Sequence, residues 1–178
     1  MATRSIVKLG DDALRKVCKP QDKFNMRLHM LLKDMADTMY KADGVGLAAH
    51  QVGILRRGVV IDVGEGLVEL INPEITAVSE DLQTGREGCL SLPGRQGVVT
   101  RPMAVRVKAQ DRDGQPFEFE AEGFFARAVC HELDHLDGRL YIDVMDRELT
   151  PEEIEGHIPE DDQNDEETEE TEEGEEQA

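Results

Sequence analysis

The chain has 178 residues, 39 acidic against 20 basic, for a net charge of −19. An acidic balance of that size repels nucleic-acid phosphate, so direct nucleic-acid binding is not expected. No apolar run reaches the length of a signal core or a membrane span, and three cysteines fit a reducing cytoplasm.

Near the N-terminus, Cys18 lies among Lys16, Lys19 and Pro20 with no polar cluster around it. Leu28, Leu31, Leu32, Met35 and Met39 recur at helical intervals and predict a helix from Asn25 to Lys41, ending before Asp43-Gly44. The stretch from Gly44 to Gly53 then offers small residues that let backbone pass close to something, and one amide, Gln51, able to donate hydrogen bonds. No Gly-Lys-Ser/Thr follows it and the G-x-G-x-x-G spacing is absent, so taken alone it reads as a tight loop packed on the core. Strands are predicted at Gly58 to Val63, Leu67 to Ile71, Glu74 to Ser79, Met103 to Gln110 and Pro116 to Ala121. The last two form a hairpin, with Val105, Val107 and Ala109 alternating with charge before the turn Asp111-Arg112-Asp113-Gly114. Between these strands, Glu87 to Pro93 contains two breakers, Gly88 and Pro93, which predict irregular backbone able to expose a thiolate and a peptide N–H at Cys89.

The segment from Glu122 to Leu136 predicts a mostly buried helix, apolar at Phe124, Phe125, Ala128, Val129, Leu133 and Leu136, with Gly138 suited to its C-terminus. On it, His131-Glu132-Leu133-Asp134-His135 places two imidazoles one turn apart beside a carboxylate, able to hold one ion while Glu132 reaches a water on it. Burying three such groups is unfavourable unless each finds a partner, and a metal ion satisfies all three. Cys130 points about 100° away from His131 on a helix and reads as a small core residue. Cys89 would complete a three-ligand set with an open position, although spacing alone does not select it. Strands first and this helix last predict an α+β fold, with antiparallel β-sheets packed around a central metal-binding helix.

At the C-terminus the composition changes. Glu148 to Ala178 holds 16 of the 39 acidic residues and no Lys or Arg, leaving 23 acidic against 20 basic in residues 1–147. The expected division is a catalytic domain over 1–147 and an acidic tail over 148–178. In the tail, Thr150-Pro151-Glu152-Glu153 starts a short helix over 150–157, and the remainder is expected to be a disordered, solvated segment.

Together, Gly44-Val45-Gly46-Leu47-Ala48-Ala49-His50-Gln51, Glu87-Gly88-Cys89-Leu90-Ser91 and His131-Glu132-Leu133-Asp134-His135 resemble, in order and spacing, the three motifs of the peptide deformylases. The resemblance spans roughly Arg4 to Asp146. It implies a single-domain hydrolase that removes the formyl group from the N-terminal formyl-methionine of new polypeptides. It implies one divalent ion, Fe2+ in the family with Zn2+, Ni2+ or Co2+ able to substitute, held by Cys89, His131 and His135. A water on that ion would attack the formyl carbon with Glu132 as general base and later acid. Gln51 and the backbone N–H of Leu90 would donate to the formyl oxygen. One departure is Cys130, where many members carry glutamine.

Phe124 and Ala128 share the face of His131 and, with Val45, Gly46 and Leu90, are expected to line a methionine pocket, ordinary core packing being the alternative. Arg127, four residues before His131, reads as a rim residue reaching solvent, because a guanidinium buried beside a metal is hard to satisfy. Some family members contact the ribosome through a basic C-terminal helix. An anionic tail implies at most weak or transient ribosome association, by a monomer acting on N-formylmethionyl nascent peptides. A zinc-dependent peptidase shares the His131 to His135 pattern but needs a downstream third ligand, for which only His157 is available. A non-catalytic binder of formylated N-termini is the other alternative.

Overall fold

The computed structural model describes residues 2–156. Helix α1 (Met26–Lys41) begins where Asn25 accepts from the Leu28 N–H at 3.2 Å and buries Leu28, Leu32, Met35 and Met39 along one stripe. A cap is worth about 1 kcal/mol and a fully buried Leu or Met about 1.5–3 kcal/mol, so the stripe dominates. Helix α2 (Gly123–Leu136) has no side-chain cap, yet ten of its 14 residues are buried. Packing alone therefore holds it, as its apolar composition predicts.

Five strands form one antiparallel sheet in the order β1 (Gly46–Ala48), β2 (Gly58–Ile61), β3 (Val68–Val78), β6 (Ala104–Gln110), β7 (Pro116–Glu122). Three more form a second: β4 (Leu82–Cys89), β5 (Leu92–Pro102) and the two-residue β8 (Arg147–Glu148). Helix α2 touches β1, β2, β6 and β7 of the first sheet and β5 of the second, so it lies between them. Its Ala126, Val129, Leu133 and Leu136 pack with Val59, Ile61, Leu70 and Val107 of the larger sheet. α1 covers β1 and β2 through Leu47 and Val60, with Ile71 of β3 in the same cluster. The α+β class, the antiparallel sheets and the helix that bears the histidines are thus as expected.

Two sequence readings need correction. The segments Leu67 to Ile71 and Glu74 to Ser79 belong to one strand, β3. Its register shifts between Ile71 and Glu74, where Asn72 adopts φ 50°, and Pro73, which has no N–H to give, sits in the irregularity. The stretch around Cys89 is not irregular loop but a hairpin of two long strands, with the irregularity confined to a register shift between Gly88 and Cys89 and a turn at Leu90-Ser91. Pro93 is tolerated in β5 because β8 pairs only with Gly97 and Val98, so no ladder bond is missing there. The Gly44 to Gly53 stretch is β1 followed by a 3-10 helix, Ala49–Val52.

Past residue 147 the described fold continues through β8 into α3 (Pro151–Glu155). Thr150 accepts from the Glu153 N–H at 3.3 Å while Glu153 accepts from the Thr150 N–H at 2.9 Å, the capping box read from the sequence. The rest of the tail, with its expected disorder, lies outside the described residues. Among the described residues no helix is long and apolar enough to cross a membrane.

Candidate metal centre

The β4–β5 turn carries Cys89 toward α2, where its Sγ, a nitrogen of His131 and a nitrogen of His135 all lie within 4.8 Å of one another. Cys89 Sγ and His135 Nε2 are 3.3 Å apart. One donor comes from a sheet and two from the facing helix, so the set exists only once both layers have packed.

Both histidines are set by their surroundings. His131 Nδ1 meets Glu87 Oε1 at 2.8 Å, which directs its Nε2 into the site. Burial pushes the His135 imidazole well below its usual range, aided by the nearby His131, His50 and Arg101, so this ring is neutral. His135 itself is 1% exposed, and His50, 0% exposed, packs edge-on to it with ring centroids 4.9 Å apart. Burial likewise pushes His50 down to about 4, against a smaller opposing pull from the Leu14 backbone. A thiolate and two imidazoles with room for a fourth ligand fit a catalytic divalent ion of the zinc or ferrous kind. Glu132 Oε2 is buried without a hydrogen-bond partner among the described residues, as expected of a carboxylate whose partner is a water or substrate on such an ion.

Glu87 was not singled out from the sequence, and it organises the surroundings. It accepts from Arg101 Nε and Nη2, both at 3.0 Å, and from Arg127 Nη1 at 2.8 Å. Arg101 also donates to Asp134 at 2.7 Å. Two guanidiniums thus meet two carboxylates. Burial raises the Glu87 carboxyl, but hydrogen bonds from His131 and Arg101 outweigh it and hold the group at about 2. Arg127, read as a solvent-reaching rim residue, is instead 5% exposed and also donates to the Val99 carbonyl at 2.9 Å. Its buried charge is satisfied because the sheet opposite supplies a carboxylate that helical adjacency does not reveal. A carboxylate able to orient the second nitrogen of a ligating histidine was the signal to look for, and Glu87, two residues before Cys89, was the nearest candidate.

The remaining expected residues converge on one cavity of about 440 Å3. Val45, Gly46, Gln51, Cys89, Leu90, Phe124, Ala128, His131 and Glu132 all line it, and His135, buried, does not. Phe124 is 55% exposed at the mouth, so it is a wall rather than core. Gln51 Oε1 accepts from the Ala48 N–H at 2.9 Å, which turns Nε2 toward Ser91 Oγ at 3.1 Å and Cys89 Sγ at 3.5 Å. Gly46 passes directly over Glu132: a Cβ there would collide with Oε1 and lie 2.8 Å from Cδ. Cys130 is buried outside the ligand set, as expected, its thiol pushed by burial up to about 11.

Comparisons with known proteins give the same answer. A sequence model described as polypeptide deformylase matches residues 3–150. The chain is 57% identical to a peptide deformylase of Caldicellulosiruptor bescii over 155 residues, covering 87% of this chain and 93% of that one. In structure it resembles the peptide deformylase of Thermotoga maritima with a TM-score of 0.80 at 44% identity, covering 82% of this chain and 99% of that one. It also resembles a peptide deformylase from Synechococcus elongatus in complex with actinonin, with a TM-score of 0.78 at 42% identity and coverage of 80% and 78%. With the motif residues gathered around a Cys-His-His set and most of its length matched, the chain belongs to the polypeptide deformylase family.

Proposed function

We propose a division of labour among the cavity residues for the reaction of this family. The chain is a peptide deformylase, a metal-dependent hydrolase that removes the N-formyl group from the N-terminal formyl-methionine of newly synthesised polypeptides. Cys89, His131 and His135 hold one divalent ion, for which Fe2+ suits the mixed soft and borderline donors. That ion supplies Lewis acidity, lowering the pKa of water and polarising the formyl oxygen.

Glu132 is the proton carrier. Burial, offset in part by His131, raises its carboxyl to about 7, and an ion held by the three donors would bring it back down. It takes a proton from the attacking water at Oε2 and returns it to the departing amine nitrogen as the C–N bond breaks, leaving formate and a free N-terminus. The Gln51 Nε2–H and the Leu90 backbone N–H donate to the formyl oxygen as it gains charge, each worth about 3 kcal/mol. The methionine side chain lies against Val45, Gly46, Phe124 and Ala128, all on the cavity wall. Residues 1–147 supply the catalytic unit and 148–178 an acidic appendage. We place the enzyme in the cytoplasm as a monomer whose contact with the ribosome is weak and transient.

The observation that carries these roles is the unpartnered, buried Glu132 Oε2 in the same cavity as the three donors. A peptidase reading calls for a third donor downstream of His135, whereas the donor that lies with the two histidines is Cys89, upstream of them. The test uses anaerobically purified, iron-loaded protein and formyl-Met-Ala-Ser beside a substrate with only internal peptide bonds. Deformylation without endoproteolysis is expected. Glu132→Ala should retain its metal and lose turnover, and a variant working at the wild-type rate would remove Glu132 from the mechanism.

A further inference from the structure

A second cavity, of about 530 Å3, opens at the N-terminal end of α1 and shares no lining residue with the catalytic one. Four cations surround it: Arg4, Lys23, Arg27 and Arg56, against a single lining carboxylate, Asp22. Its floor is apolar, formed by Leu28, Leu31 and Ile54. Arg4 is held by Asp34 at 3.1 Å, and Arg56 donates to the Pro20 carbonyl at 3.0 Å, which leaves its charge uncompensated. The side chains of Lys23 and Arg27 make no hydrogen bond or ion pair among the described residues, and both residues are exposed. The first turn of α1 carries no acidic side chain, so the positive end of the helix adds to the field.

Such a concentration of positive charge needs explaining in an acidic protein. Residues 1–57 carry 11 basic and 6 acidic groups, residues 58–147 carry 9 and 17, and the tail is wholly acidic. A cavity of about 530 Å3 takes up a compact anion rather than a length of anionic polymer. The geometry points to a binding site for a small phosphate-bearing molecule with an apolar or planar body, a nucleoside diphosphate being of the right class. The cavity volume lies in the range of small-molecule sites. Lys23 and Arg27 provide charged donors for the phosphates, and Leu31 and Ile54 provide a surface for the body. No aromatic side chain lines the cavity, and its two amides are engaged locally, Gln21 with the Lys23 carbonyl and Asn25 with the Leu28 N–H, so discrimination among nucleobases is not expected.

The test is calorimetric titration of the full-length, metal-loaded enzyme with ADP and, separately, with inorganic pyrophosphate. Deformylase activity is assayed before and after to show that chelation has not removed the metal. Saturable one-to-one binding of ADP is expected, with pyrophosphate weaker because the floor goes unused. Arg27→Ala should weaken ADP about tenfold, the size of one charge-assisted hydrogen bond, and Lys23→Ala with Arg27→Ala should weaken it further. Arg106→Ala, which removes an exposed cation from β6, should leave binding unchanged. Both cavity side chains are exposed and outside the catalytic cavity, so deformylation by these variants reports intact folding. The assignment is overturned if ADP does not bind, if the double variant binds as well as the parent, or if pyrophosphate binds as tightly as ADP.

Discussion

Glu87, 6% exposed, accepts hydrogen bonds from His131, Arg101 and Arg127 at once. Glu87→Ala therefore leaves Arg101 with Asp134 as its one carboxylate and Arg127 with backbone carbonyls alone, and it frees the His131 ring to turn. Metal affinity should fall about 10–100-fold, the usual effect of losing a carboxylate behind a ligating histidine. Stability should fall by about 3–5 kcal/mol from the unpaired buried charge. Chelator competition and urea unfolding measure the two, and unchanged metal affinity would deny Glu87 its orienting role. Because its folded pKa lies near 2 and its ordinary value is 4.5, the stabilisation it gives is present above pH 4.5 and fades as pH falls toward 2. Cysteine chemistry gives a second test at this scale. Burial pushes Cys18 and Cys130 both up to about 11, so at pH 8 only about one thiol in a thousand is ionised at either position. Chelator-treated native enzyme should thus react with iodoacetamide at Cys89 alone, and the metal-loaded enzyme at none. Peptide mapping that finds Cys130 labelled in folded protein would contradict this. The histidine pair was legible because both ligands sit on one helix and local geometry suffices. Glu87 and the burial of Arg127 were not, since both depend on a sheet-to-helix contact some 40 residues apart in sequence.

At the level of elements, both helices could be read because a stripe of large apolar residues or an apolar surround marks each one directly. The hairpin of β4 and β5 could not, because Gly85, Gly88, Gly94 and Gly97 interrupt the alternation that marks a strand. Two of those glycines answer to neighbours the local sequence does not name: a Cβ at Gly85 would meet Arg127 Nη2 at 3.2 Å, and one at Gly97 would meet Met145 Sδ at 2.8 Å. The C-terminus of α2 was legible from Gly138, and the fold gives that residue a second reason. It adopts φ 74°, and a Cβ there would lie 2.5 Å from the Arg15 carbonyl oxygen, where the N-terminal segment crosses the helix end. The same crossing is held by the Cys18 N–H donating to the Leu136 carbonyl at 2.8 Å and by Arg57 against Asp137 at 2.9 Å. Gly138→Ala should therefore destabilise by at least the 1–3 kcal/mol or so of a strained backbone. Thermal unfolding measures it, and a melting temperature equal to the parent's would show that the N-terminal segment can move aside.

On the scale of the whole molecule, charge is distributed by chain position rather than evenly. Residues 157–178 hold 12 acidic groups and no Lys or Arg, and the last described element, α3, stands beside the catalytic cavity. Arg86, on the cavity wall, donates to the Glu153 carbonyl, and Arg147 pairs with Glu153 at 3.0 Å. The described chain therefore ends close to the cavity wall, and the acidic groups that follow it in sequence would give a negative field there. Such a field raises the encounter rate of cationic substrates and lowers that of anionic ones, and salt screens it within about 8 Å at physiological strength and about 3 Å at 1 M. At low salt, kcat/KM for formyl-Met-Lys-Lys should exceed that for formyl-Met-Glu-Glu, and removing residues 157–178 should narrow the gap. In 1 M salt, full-length and shortened enzymes should show the same ratio. Values of kcat should barely change, because every residue assigned to the chemistry lies between Gln51 and His135, in elements that do not include the tail. A ratio indifferent to both salt and truncation would mean that selection of the nascent chain is made entirely by contacts inside the cavity.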